Sequence, residues 1–151
     1  DVNLDESQVL LRVAFDAARI QRYDVAAEKA QAAVNATAVN SVTGTQAQVV
    51  ALYAAGSSGS ITGLGAEAVT LTDTSVSVAQ ANVVASSTTG IVTATLAETS
   101  LSALSGLAET NNAYTISIAD ATIDAAALNA LDAKTTGTIT LTNAATATRG
   151  R

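Results

Sequence analysis

Ile116-Ser-Ile-Ala-Asp120-Ala-Thr-Ile123-Asp-Ala-Ala-Ala-Leu128-Asn-Ala-Leu131-Asp-Ala-Lys134-Thr-Thr-Gly137-Thr-Ile139-Thr-Leu-Thr142 holds one full period of a repeat, and its reading decides the fold. An alternating stretch at each end puts Ile116 with Ile118, and Ile139 with Leu141, on one side of an extended chain. Asp120 marks a turn, and Ala125 to Ala133 is an arm of good helix formers that reads as helical or as a wound 3₁₀-like segment. Thr135-Thr136-Gly137 brings the chain back to the next strand.

Moving outward, the pattern of strand, acid or amide, small, small recurs every 22 to 25 residues. Its copies are Val69-Thr-Leu-Thr-Asp73-Thr-Ser-Val76, Thr95-Leu-Ala-Glu98-Thr-Ser-Leu101, Ile116-Ser-Ile-Ala-Asp120-Ala-Thr-Ile123 and Ile139-Thr-Leu-Thr-Asn143-Ala-Ala-Thr146. Residues 69 to 95 lie on 116 to 142 without a gap, at a constant offset of 47, or two units. Asp73 falls on Asp120, Asn82 on Asn129, and Thr88-Thr89-Gly90 on Thr135-Thr136-Gly137. Ser57-Ser58-Gly59-Ser60-Ile61-Thr62 is a more diverged match to Thr135 through Thr140. A unit this short cannot enclose a core, so each must lay its apolar side on the next. The expected fold is mostly β with helical elements: a parallel β-solenoid of about 23-residue coils behind an N-terminal helical cap.

That cap is read from residues 1–40, the solenoid region from 41–151. Asp5-Glu6-Ser7-Gln8 has the form of a capping box, followed by Val9, Val13, Ala17 and Ile20 at helical spacing. Asp24 offers a cap for a second helix reaching about Val34. The C-terminal side carries no such cap, because the last unit stops before its Ala/Leu arm, and an uncapped end is expected to stack on another unit. The chain begins at Asp1 without Met, which suggests a processed product or a piece of a longer polypeptide.

Composition fits thin, stacked units. Of the 151 residues 48% are hydrophobic, yet Trp, Met, Cys and Pro are absent and the aromatic side chains are Phe15, Tyr23, Tyr53 and Tyr114. Without cysteine there is no disulfide framework and no thiolate chemistry, and the redox compartment stays open. The net charge is −6, and residues 41 to 148 hold seven acids against Lys134 alone. Nucleic acid and anionic lipid both demand basic surface, so neither is an expected partner. The sequence shows neither a basic-then-apolar leader nor an apolar run long enough for membrane insertion.

The region 41–148, and above all Asp120-Ala-Thr-Ile with Ala127-Leu-Asn-Ala-Leu-Asp-Ala-Lys-Thr-Thr-Gly, resembles the degenerate Ala/Thr-rich solenoid repeats of large bacterial surface and secreted proteins, adhesin-like and type I-exported. A looser likeness is to leucine-rich repeats, from whose ladder the chain departs. The glycine-rich nonapeptide of calcium-binding repeats is missing. The resemblance implies an extracellular or cell-surface setting and a structural, self-assembling role in a surface protein or filament, the partners being further copies or neighbouring repeats of a longer chain. The alternative it implies is an adhesin-type module for carbohydrate or an ice surface.

Asp73, Glu98 and Asp120 would form a column about one strand spacing apart, roughly 4.8 Å, which calcium could bridge. Turn chemistry explains them better, since Asp and Asn bond backbone amides at turns and Asn143 takes the same place without charge. No metal site and no cofactor is therefore assigned. Thr70, Thr72, Thr93, Thr95, Thr115, Thr140 and Thr142 suggest a hydroxyl and methyl ladder, a surface like that of ice-binding proteins, with Ala94 and Ser117 interrupting it; an ordinary solvated strand face accounts for them more simply. With no His, no Cys and no phosphate-binding glycine loop, no catalytic residue is assigned and the chain is not read as an enzyme. Asn35-Ala36-Thr37 matches a glycosylation acceptor by coincidence of composition.

Overall fold

The computed structural model describes residues 33–143 and 146–148. The chain divides into two units, 1–34 and 35–151. Strands β1 (Val34–Asn35), β2 (Ser41–Gly44), β3 (Ile61–Thr62), β4 (Ala68–Leu71), β5 (Val92–Thr95), β6 (Ala113–Ile118), β7 (Thr122–Asp124), β8 (Ile139–Leu141) and β9 (Thr146–Thr148) are described. The helices are α1 (Gln46–Ser57), α2 (Val78–Ala85), α3 (Leu101–Leu104) and α4 (Ala125–Asp132). The expected N-terminal helices lie outside the described residues, except that Val34 is in a strand and not at a helix end.

β2, β4, β5, β6 and β8 form one five-stranded sheet in that order, with every neighbouring pair parallel. Strand order follows chain order, and the helices arise in the connections, the crossover a parallel pair needs. A second parallel ladder joins β7 to β9, and the bridge from Val76 to Leu96 is an earlier link of similar kind.

This overturns the expected β-solenoid: the molecule is a mixed α/β fold, a five-stranded parallel sheet with several helices and no curled sheet. The physical reason lies in the Ala/Leu arms. Each is a helix with its own N-cap, the Thr45, Ser77, Ser100 or Asp124 side chain accepting from a first-turn amide. In α1 and α2 the cap is a complete box, with Gln48 and Gln80 reaching back. An arm that is truly helical has an apolar side to bury, and it buries that side on the sheet, so the core lies between layers and not inside a wound strand.

Val69, Leu71, Val92, Ala94, Leu96, Tyr114, Ile116 and Ile118 form the sheet side of that core, and Val49, Ala81, Val84, Leu104 and Leu131 come from helices. Along β6 burial alternates: Tyr114, Ile116 and Ile118 are buried while Thr115 and Ser117 are exposed. The opposite face carries the exposed Thr70, Thr93, Thr95 and Thr140. Ile116 is fully buried, whereas Ile139, its partner on the edge strand, is half-buried.

Candidate functional site: latches between units and the two sheet edges

Each unit is fastened to its neighbour by polar side chains that sequence spacing brings to the same place in successive units. Asp73 accepts from the amide of Gln46 at 2.6 Å, Glu98 from that of Val78 through both oxygens at 3.0 Å, and Asp120 from that of Leu101 at 2.6 Å. Gln46, Val78 and Leu101 are the first residues of α1, α2 and α3. Each acid therefore closes the helix of the preceding unit, where free N–H groups and the helix dipole favour an anion. The backbone-amide role expected for these acids is the one they perform, although across units and not within their own turn. Asn143, in the same place after β8, instead donates from Nδ2 to the Ala119 carbonyl. Among the described residues no three acids gather as a metal site.

Thr-Thr-Gly is the second latch. Thr88 donates to the Glu67 carbonyl at 2.7 Å and accepts from Gly90, while Thr135 donates to the Tyr114 carbonyl at 3.1 Å and accepts from Gly137. Thr89 and Thr136 donate amides to the carbonyls of Gly65 and Asn112, both at 2.8 Å. The 47-residue offset thus reproduces hydrogen bonds as well as letters. Between these copies Asn112, bridged to Thr135, stands in the place of the first threonine, a substitution that letter matching misses. Asn111 takes φ 66, a left-handed conformation that Asn tolerates, and buried Asn112 accepts from the Val92 amide at 2.8 Å.

Asn82 is a third, two-pronged latch. Its Nδ2 donates to the Gly106 carbonyl at 2.8 Å, and its Oδ1 accepts from the Ala108 amide at 3.0 Å, both in the next unit. Asn129 is its counterpart on α4.

Glu67 is the buried acid of the described residues, 1% exposed. Its oxygens accept from the Gly65 amide at 3.0 and 2.9 Å and from Ala66 at 3.0 Å. Burial works against its charge, but these amides outweigh it and hold the carboxyl below its ordinary 4.5. Tyr53 is itself buried, its hydroxyl making no hydrogen bond, and burial beside the Glu67 charge raises its pKa. A carboxylate occupied by the amides of Gly65 and Ala66 staples the turn before β4.

On the threonine face Thr43, Thr70 and Thr93 stand in one row that ends at Ala113, Thr95 stands beside Thr115, and Ser117 beside Thr140, the threonines and Ser117 all exposed. Ala94 does not interrupt these rows, because it points to the core and is 5% exposed.

The two sheet edges differ from the interior. Val69 and Val92 are 1% and 0% exposed, but Val42 at the head of their row is half-buried. At the other edge Ile118 is 0% exposed and its partner Leu141 is 45%. There Leu128, Asn129, Ile139 and Leu141 line an open cleft of about 490 Å³. Among the described residues no helix is long and apolar enough to cross a membrane. No family model, no curated protein and no solved structure matches this chain.

Proposed function

We propose that residues 35–151 are a structural module that adds units, or associates, through the ends of its sheet, and that its setting is an extracellular bacterial surface protein or filament. The observation that carries this reading is the pair of edges: inward rows that are dry in the interior end at half-buried Val42 and at exposed Leu141. Interior polar groups support it as well, because Asp73, Glu98, Asp120, Asn82, Thr88 and Thr135 are all spent on the backbone of adjoining units. An open strand edge over apolar surface recruits another chain. The extracellular setting rests on the sequence resemblance. Light scattering of the full chain from low to high concentration tests the role: mass should rise with concentration, and a constant monomer mass refutes it.

The exposed threonine rows favour a second reading, an adhesin-type module that lays its hydroxyls and methyls on a regular surface of carbohydrate or ice. Thr93→Tyr places a bulky ring in the middle of the rows without touching the core. Retention of wild-type protein on insoluble polysaccharide, or slowed ice recrystallisation, lost in that variant, would support this reading; no effect of wild type in either assay would dismiss it.

A further inference from the structure

Inside the sheet the units are of two kinds, and they alternate. The first kind holds β4 and β6. A left-handed residue precedes each strand, Gly65 at φ 121 and Asn111 at φ 66. An eight-residue helix follows, α2 or α4, with Asn82 or Asn129 as its fifth residue. Asp73 or Asp120 then accepts from the first amide of the helix before it, at 2.6 Å in both cases. The second kind holds β5 and β8. Thr-Thr-Gly leads into each, and a Cβ on Gly90 or Gly137 would lie 2.2 Å from a carbonyl oxygen of the preceding unit, that of Glu67 or Tyr114. Glu98 or Asn143 follows the strand and reaches back to the same unit, Glu98 to the Val78 amide and Asn143 to the Ala119 carbonyl.

We infer that a unit of each kind accepts only the other kind as its neighbour, so the module is extended in pairs of units, by 47 residues and not by about 23; this rests on the structural role proposed above. Asn82 grips the Gly106 carbonyl and the Ala108 amide, the sixth and eighth residues counted from the start of α3. α3 has four residues, so both groups lie beyond its end. In α4 the sixth and eighth residues are Ala130 and Asp132, still inside the helix, where the Asp132 amide is spent on the carbonyl four residues back. A unit like that of β5, with its short helix, offers the asparagine what it binds; a unit like that of β6 does not. Strand spacing agrees. Val69 pairs with Val92 and Ile116 with Ile139 at the same interval, so β4–β5 and β6–β8 are one junction. The interval differs at β2–β4 and β5–β6, where Asp73 and Asp120 are the links.

Duplication of residues 90–136 within the full chain tests this. The second copy enters after Thr136, so Thr135-Thr136 runs into Gly90 as it does into Gly137, and every unit keeps a neighbour of the other kind. Ser117→Cys in the first copy and Thr93→Cys in the second repeat the exposed pair Ser117 and Thr140. They should stand on adjoining strands about 4.8 Å apart and close an internal disulfide in a chain with no other cysteine. The melting temperature should equal or exceed that of wild type, because a stacked pair brings its own interfaces. Duplication of residues 116–138 instead sets two units of the first kind side by side, with Asp120, one methylene shorter, in the place of Glu98, and with α4 where Asn129 needs the loop after α3. That variant should melt at least about 4 °C below wild type. A two-unit variant that fails to fold or to form the disulfide, or a single-unit variant that melts as high as wild type, overturns the pairing by kind. Both readouts are taken on the monomer, so either failure leaves the structural role to its own test by light scattering.

Discussion

Gly90 and Gly137 show at residue scale why the repeat keeps one residue type. Neither has a left-handed backbone; a Cβ on Gly90 would run into the carbonyl of Glu67, and one on Gly137 into the carbonyl of Tyr114. The restriction comes from the neighbouring unit's backbone, which cannot move as a flexible side chain can. Gly90→Ala and Gly137→Ala should each destabilise by about 1–3 kcal/mol in urea unfolding. Gly59→Ala meets nothing, and at φ 78 it should cost only the left-handed penalty of about 1 kcal/mol. The sequence displays the Thr-Thr-Gly triplets plainly, but it cannot display that collision. It also hides Asn112, whose side-chain amide does the threonine's work. Glu67 gives a pH signature. Its folded pKa is below the ordinary 4.5, so its charge contributes stability above that value, and the contribution is lost as pH falls through the folded pKa. Melting temperature followed from pH 7 downward should fall below about 4.5 in wild type, and Glu67→Gln should be less stable at neutral pH with a shallower acid loss.

At the scale of elements, α1, α2 and α3 are closed from two sides, by their own cap and by an acid from the following unit. Glu98→Ala strips the Val78 amide of its acceptor and should cost about 1 kcal/mol, with Asp73→Ala and Asp120→Ala similar. Because backbone amides are what the acids bind, a chelator should leave the thermal midpoint unchanged; a fall reversed by excess calcium would contradict this. The strands were legible, since alternation of Ile, Leu and Val with Thr has a period of two that a helix cannot share. The arm Ala125 to Ala133 was legible as helical from its helix formers, and Ala125–Asp132 is a helix. Its place as a layer on a sheet was not legible. Hence the mistake of coils for layers, while the amide-binding role of the acids was readable from side-chain chemistry alone.

Across units 35–151 every strand of the main sheet touches only its immediate neighbours, so stability is handed along a line. Amide exchange should be slowest in the middle, at Ala94 and Ile116, and fastest at the edge residues Thr43 and Leu141; uniform protection would mean that the layers open as one body. Edges and latches could be anticipated from the repeat, but which atoms face outward at each edge depends on strand direction and register, which only the folded sheet fixes. One further consequence follows from the buried tyrosines. With no Trp, the optical signal of this protein is tyrosine's, and Tyr53 and Tyr114 have buried hydroxyls without hydrogen bonds. Burial, helped by the charge of Glu109, lifts Tyr114 from the ordinary 10.0 to about 12. Its neutral form thus stabilises the fold fully below pH 10, and that contribution is lost as pH rises toward 12. Phenolate absorbance in an alkaline titration becomes a built-in gauge, on which delayed ionisation reads out how long the surroundings of α1 and of β6 stay closed to water.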